Sequence, residues 1–325
     1  MGRPLEPLRF RRHFVEKPWG GRALERRFGF ELPAGKRIGE TWELVDREDE
    51  NSVVEGGPFA GTTLRELMRT RAEELLGTAS PARDGRFPLL VKYIDASENL
   101  SVQVHPDEES AADLGGGAEA KTEAWFVVDV APRAKLFVGT KPGVDRAAFA
   151  AGIADGRVAE LMAQREVERG DCLLVRGGTV HAIGAGVTIL EVQQNSDTTY
   201  RIHDWGRVGL DGVPRETHVE PALACARFEQ GATLHRSTRL ERSPLAESHL
   251  FRMAAVRVSD RLTCPVSAAF RILAVVAGRG SIEDPDGGAW PLVPGVVWLI
   301  PASFGAHALV AEGGVVELIE TVPVG

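Results

Sequence analysis

Lysine is almost missing from this chain. Of its 38 basic residues only Lys17, Lys36, Lys92, Lys121, Lys135 and Lys141 are lysines, and none follows position 141. The remaining 32 are arginine, a bias that genome composition alone can produce. Basic charge is also outweighed: the formal net charge is −8. That excess argues against a nucleic-acid partner and against docking on an anionic membrane surface. It leaves room for a small anionic substrate, because a local basic cluster can override the global sign. Cysteine is scarce too. Cys172, Cys225 and Cys264 are far apart, odd in number and without CxxC spacing. They read as free thiols, not as a disulfide framework. No uncharged apolar run reaches the roughly 18 to 20 residues that a membrane helix needs. Met1 to Arg12 carries charge but no apolar stretch, so no secretory signal is expected and the location is expected to be cytoplasmic.

What is present is an ordinary globular composition, 43% hydrophobic and 26% charged over 325 residues. That length suits one large domain or two ordinary ones. Short apolar runs separated by Gly, Pro and Asp predict strands at Leu89–Ile94, Ala124–Val130, Cys172–Val175 and Val187–Val192. The C-terminal third continues the pattern at Phe270–Val276, Val296–Ile300 and Val315–Ile319. Two segments read as helical. One is Leu64–Leu76, with Thr62 or Thr63 as its N-cap. The other is Phe149–Arg165, which Gly152 and Gly156 weaken. The expected class is mainly β, a sandwich or barrel with a few helices.

A degenerate repeat joins the halves. A Gly turn, a strand, a small-residue turn and His181 recur as a Gly turn, a strand, a small-residue turn and His307. The polar, turn-rich segment Gly206–Pro221 reads as a link between them. It places a metal-bearing domain over 1–210, with a helical insertion, and a second β domain over 211–325.

The chemistry concentrates in few places. Ser101, Gln103 and His105 alternate along an expected strand, so they share one face. Pro106 ends that strand and leaves the imidazole at its tip. Glu123 opens the apolar run Ala124–Val128, where a carboxylate is costly unless paired or metal-bound. Lys121 is an equally available partner for it. His181 follows the tight turn Gly177–Gly178–Thr179. A lone histidine is more often structural than a ligand, but Gln, His, Glu and His together make an N/O set for a divalent cation. Further on, Asn195–Ser196–Asp197 reads as a turn leading to Arg201. Arg201 is either solvated or half-buried against Trp205, where a guanidinium commonly serves a carboxylate or phosphate.

In chain order, Glu16–Gly21, Ile38–Leu44, Pro88–Lys92, Ser101–Asp107, Lys121–Trp125, Gly178–Gly184 and Gln193–Arg201 together resemble the type I phosphomannose isomerases of the cupin superfamily. The resemblance covers about the first two-thirds of the chain. Phe126, Arg176–Gly177 and His203 depart from the usual residues at their positions. It implies two jelly-roll barrels, one bearing metal and one degenerate. It implies Zn²⁺ held by Gln103, His105, Glu123 and His181, and a sugar-phosphate pocket lined by Ser101, Lys92, Lys121 and Arg201. The implied reaction interconverts mannose 6-phosphate and fructose 6-phosphate through an enediol(ate), the zinc acting as Lewis acid with help from Arg201. The base is Glu191 or Asp197. Glu191 is favoured because burial would raise its pKa toward neutrality, while an ion pair with Arg201 or Lys92 is its alternative role. An isomerase of another or unphosphorylated sugar, and a non-catalytic metal- or sugar-binding cupin, are the competing functions. His307 has no companion ligands in the sequence around it and reads as part of a structural barrel.

Overall fold

The computed structural model of the chain describes residues 4–238 and 240–324. The chain forms two compact units from non-contiguous stretches. One contains Phe14–Trp42 and Val91–His235; the other contains Met1–His13, Glu43–Leu90 and Arg236–Gly325. The stretch 43–90 thus groups with 236–325, so the units interleave the continuous spans 1–210 and 211–325.

The first unit is built on two sheets. The larger runs in the order His13–Gly21, Ile38–Leu44, Leu89–Ala96, Val187–Gln194, Glu123–Val130, Asp171–Val175 and Leu234–Arg236. The smaller runs Tyr200–His203, Val102–Val104, His181–Ile183, Lys135–Thr140 and Met162–Glu166. Trp125, Val127, Leu173 and Ile189 of the larger sheet pack with Leu136, Val138 and Ile183 of the smaller in one core. The two sheets therefore face each other as a sandwich. The other face of the smaller sheet is apolar as well. Val102, Val104, Phe137 and Ile202 cluster there with Phe149, Val158, Ala222 and Cys225 from helices. Covered on both sides, such strands are continuously apolar instead of alternating.

The second unit repeats the plan. A five-stranded sheet runs Arg242–Glu247, Phe251–Val258, Val316–Pro323, Arg271–Ala277 and Val297–Ile300. A four-stranded sheet runs Arg261–Cys264, His307–Ala311, Gly280–Glu283 and Ala289–Leu292. Val256, Leu273, Val275 and Leu318 pack against Cys264, Ile282, Leu292 and Leu309 between them. The fold is mainly β and cupin-type, as expected.

The predicted helix Leu64–Leu76 forms over those residues. Thr63 caps it, its hydroxyl accepting the Glu66 N–H at 3.1 Å. The second predicted helix is corrected. It begins earlier, at Arg146, because the Asp145 carboxylate caps it through the Ala148 N–H at 2.8 Å. It ends at Ala154, and Gly156 lies in the left-handed region at φ 70°. After one short turn, Val158–Leu161, the chain becomes the strand Met162–Glu166.

The repeat read from sequence is present in the geometry. His181 opens its strand, lies opposite Gln103, and donates through Nδ1 to the carbonyl of Thr179 at 2.8 Å. His307 opens its strand, lies opposite Cys264, and donates through Nδ1 to the carbonyl of Gly305 at 3.0 Å. In both, the acceptor carbonyl is two residues back.

Candidate metal centre

Pairing across the smaller sheet sets one row of the site. Arg201 lies opposite Gln103, and Gln103 lies opposite His181. Directly opposed residues share a face, so the three side chains emerge on one side. The larger sheet supplies a second row. Gln193 lies opposite Glu123, and Glu191 opposite Trp125. The face that carries Glu123 and Trp125 therefore also carries Glu191 and Gln193.

These rows bring His105, Glu123 and His181 together, with their ligand atoms within 4.8 Å of one another. All three are buried. His105 Nε2 is 3.5 Å from Glu123 Oε2, and His181 Nε2 is 3.4 Å from Glu123 Oε1. Gln103 joins them, its Nε2 3.3 Å from His181 Nε2. Its Oε1 accepts the Ser101 hydroxyl at 3.3 Å, which places Ser101 beside it as the strand alternation requires. Lys121 Nζ is 2.9 Å from Glu123 Oε2 and 3.2 Å from His105 Nε2. Glu123 thus has the lysine partner and the imidazole neighbours at once. Burial disfavours its charge, but the Lys121 ammonium, which also donates to it, outweighs that and holds its carboxyl well below the usual range.

The donor set fits a divalent cation on three counts. A carbonyl oxygen can only accept, so His105 donates its Nδ1–H to the Thr198 carbonyl at 2.8 Å, as His181 does to Thr179. Each neutral ring then turns an unprotonated Nε2 toward the cluster, where Lys121 and Gln103 now face it, the tautomer that metal-ligating histidines adopt. Burial also pushes both imidazoles below their ordinary pKa, which keeps that lone pair available. Finally, Glu123 Oε1 is buried without a hydrogen-bond donor among the described residues. Half a turn of the Gln103 carboxamide would exchange its nitrogen for its oxygen as the fourth donor. No other group of three such side chains occurs among the described residues. His307 is buried alone, its Nε2 without a partner there.

A second charged group lies on the same unit. Lys92 Nζ is 2.9 Å from Glu191 Oε2 and 3.8 Å from Glu40 Oε2. Lys17 reaches Glu40 Oε1 at 3.3 Å, and the Trp42 indole N–H donates to Glu40 Oε2 at 2.7 Å. Trp125 donates to Glu191 Oε1 at 3.1 Å. Burial opposes the Lys92 charge, but Glu191 and Glu40 overcome it and raise the ammonium above its usual value. Burial opposes the Glu40 charge too, yet Lys17, Lys92 and the indole bring its carboxyl down to about 2. Glu191 moves the other way: burial, then repulsion from Glu123, raise it against the pull of Lys92. In the sequence Glu40 stands out only as a member of Ile38–Leu44, one of the stretches that carry the family resemblance. Its signal as a site residue is a carboxylate buried in the strand Ile38–Leu44.

Of the other two expected residues, Arg201 shares the Gln103 row but turns its guanidinium to the backbone, and Asp197 stands apart. Arg201 is half-buried, and its Nη1 donates to the backbone carbonyl of Glu216 at 2.8 Å instead of to a carboxylate. Asp197 is exposed in the turn after Gln194. That turn is not part of a hairpin, because it passes from the larger sheet to the smaller.

Comparison with known proteins adds an independent line. A family model described as phosphomannose isomerase type I, catalytic domain, matches residues 8–124. The mannose-6-phosphate isomerase ManA of Bacillus subtilis is 34% identical over 309 residues, 94% of this chain and 96% of that one. The mannose-6-phosphate isomerase of Streptococcus mutans is 34% identical, over 85% of this chain and 87% of that one. The crystal structure of a mannose 6-phosphate isomerase from Bacillus subtilis superposes with a TM-score of 0.84 at 29% identity, covering 98% of this chain and 100% of that one.

Proposed function

The chain belongs to the type I phosphomannose isomerase family, and from that premise we propose that it interconverts mannose 6-phosphate and fructose 6-phosphate with one Zn²⁺ held by Gln103, His105, Glu123 and His181. The observation that carries this reading is the buried His105–Glu123–His181 group, with both Nδ1–H groups given to backbone carbonyls and both Nε2 atoms turned toward Glu123. Zinc bound there supplies Lewis acidity to the sugar's carbonyl oxygen.

The chain's own side chains do the rest. Glu191 moves the proton between C1 and C2. Its burial and its neighbour Glu123 raise its pKa toward the range a base needs near neutrality. Trp125 and Lys92 hold its two oxygens apart and in place. Lys121 and Arg201 stabilise negative charge on the reacting oxygens. Ser101, with Lys92, Lys121 and Arg201, forms the polar wall that receives the sugar phosphate. Asp197, exposed in the turn, is left out of the proton transfer. All these residues fall within the 1–210 span, proposed as the catalytic cupin domain, and none in the degenerate second span.

The test couples metal analysis of the purified chain to isomerase turnover before and after chelation. Zinc near one equivalent and turnover that falls and returns with it support the reading. Turnover indifferent to complete zinc removal refutes it. A Glu191→Gln chain that keeps its zinc is expected to lose about 100-fold or more in turnover and in exchange of the C2 proton with solvent. Turnover of free mannose equal to that of its phosphate would remove the phosphate from the assignment.

A further inference from the structure

Gln193 is fully buried on the face of the larger sheet that carries Glu123, directly opposite it. Nothing in the proposed reaction uses it. Its carboxamide nitrogen donates to two backbone carbonyls, Gln194 at 2.8 Å and Ser196 at 2.6 Å. Two carbonyl acceptors fix which end of the amide is nitrogen. One side chain thus spans the turn that follows its own strand.

The chain of contacts continues toward the cluster. The Ser196 hydroxyl donates to the Glu119 carbonyl at 3.1 Å and accepts the Thr198 N–H at 3.2 Å. The Thr198 hydroxyl accepts the Glu119 N–H at 3.0 Å. The Thr198 carbonyl then accepts the His105 Nδ1–H at 2.8 Å. Because Thr198 sits in a turn and not in a ladder, no regular strand pairing holds that carbonyl in place. Its direction depends on the side-chain ties at Ser196 and Gln193. By contrast, the carbonyl that orients His181 lies two residues back in its own tight turn.

We propose that Gln193 is a positioning residue for His105: by clamping the 194–198 turn it aims the Thr198 carbonyl that sets the imidazole ring and its tautomer. This rests on the metal-binding reading of the cluster, not on the identity of the sugar. Groups that orient a metal ligand through its second nitrogen influence affinity strongly, although they never touch the ion.

The test uses the full chain with Gln193→Met, which keeps the length and removes both donors, Ser196→Ala, and the double variant. Zinc affinity is measured by chelator competition. The His105 Nδ1–H is followed by nitrogen-edited NMR in the zinc-free protein. Gln193→Met should weaken zinc binding about 10- to 100-fold and shift or broaden the His105 Nδ1–H resonance, leaving that of His181 in place. Ser196→Ala should act in the same direction, and the double variant should fall short of the product of the two, because both cut one chain. A zinc affinity within about twofold of the parent, or weakened binding with an unmoved His105 resonance, overturns the proposal. If Gln193→Met does not fold, Ser196→Ala carries the same two readouts at the next link. If the parent binds no zinc, the metal reading fails on its own, and the His105 resonance still decides whether Gln193 sets the ring.

Discussion

Replacing Glu40 by Gln isolates one charge in the Lys17–Glu40–Lys92–Glu191 group. Glutamine keeps the shape and can still accept the Trp42 N–H, so the change removes charge and little else. The Glu40 carboxyl drops from 4.5 to about 2 on folding. At roughly 1.4 kcal/mol per pH unit this is worth about 3 kcal/mol. That matches the roughly 3 to 5 kcal/mol typically lost when one partner of a buried ion pair is removed. The sign follows from linkage. A carboxyl depressed by folding contributes its full stability above its unfolded value and loses it as pH falls through the folded one. The deficit of Glu40→Gln should therefore be about 3 kcal/mol at pH 7, shrink below pH 4.5 and approach zero near pH 2. Urea unfolding of the zinc-free parent and variant across that range measures it. A deficit under about 0.5 kcal/mol at pH 7 would show that burial cancels the ion pairs. A deficit that persists unchanged near the acid end would assign the loss to packing, not charge.

Three further outcomes are expected. Trp125→Phe leaves Glu191 Oε1 without its indole donor inside the core, and should cost about 1 to 3 kcal/mol in urea unfolding; an unchanged midpoint would show that the bond contributes nothing. In Gly20→Ala the new Cβ would lie 2.5 Å from Gly39 N and 2.6 Å from the Arg37 carbonyl, both backbone, so thermal unfolding should report a loss of about 1 to 3 kcal/mol unless those strands can part freely. Cys172, Cys225 and Cys264 are all buried, and burial pushes each thiol up, so a thiol reagent should find none of them in the native chain and all three after denaturation; fast labelling of the native chain would contradict the packing of both sandwiches.

The His105–Glu123–His181 cluster was legible in sequence because its residues obey local rules. Gln103 and His105 share a face by strand alternation, and the Ser101–Gln103 contact displays it. Glu123 announced itself as a carboxylate at the head of an apolar strand. The ion pair with Lys121 and a metal were posed as alternatives, and the Glu123 carboxylate faces Lys121 and both imidazoles at once. Glu40 was not legible in this way. Its partners Lys17, Lys92 and, through Lys92, Glu191 come from three other strands, and no sequence spacing encodes that meeting. The helix predicted over 149–165 failed for a related reason. Apolar spacing continues past Gly156, but a glycine in the left-handed region turns the chain out of the helix. The grouping of 43–90 with 236–325 is likewise a long-range outcome that composition does not mark. No helix among the described residues is long and apolar enough to cross a membrane.

The clamp on His181 and its copy on His307 have an experimental use. Each molecule carries the same imidazole fastening twice, once beside a carboxylate and a second histidine, and once opposite a cysteine without such companions among the described residues. The fastening therefore belongs to the turn that precedes the strand and survives where the ligand set does not. His307 is a built-in control for His181. Any spectral or chemical change that zinc provokes at one ring and spares at the other reports coordination itself, with the backbone environment already subtracted inside a single chain.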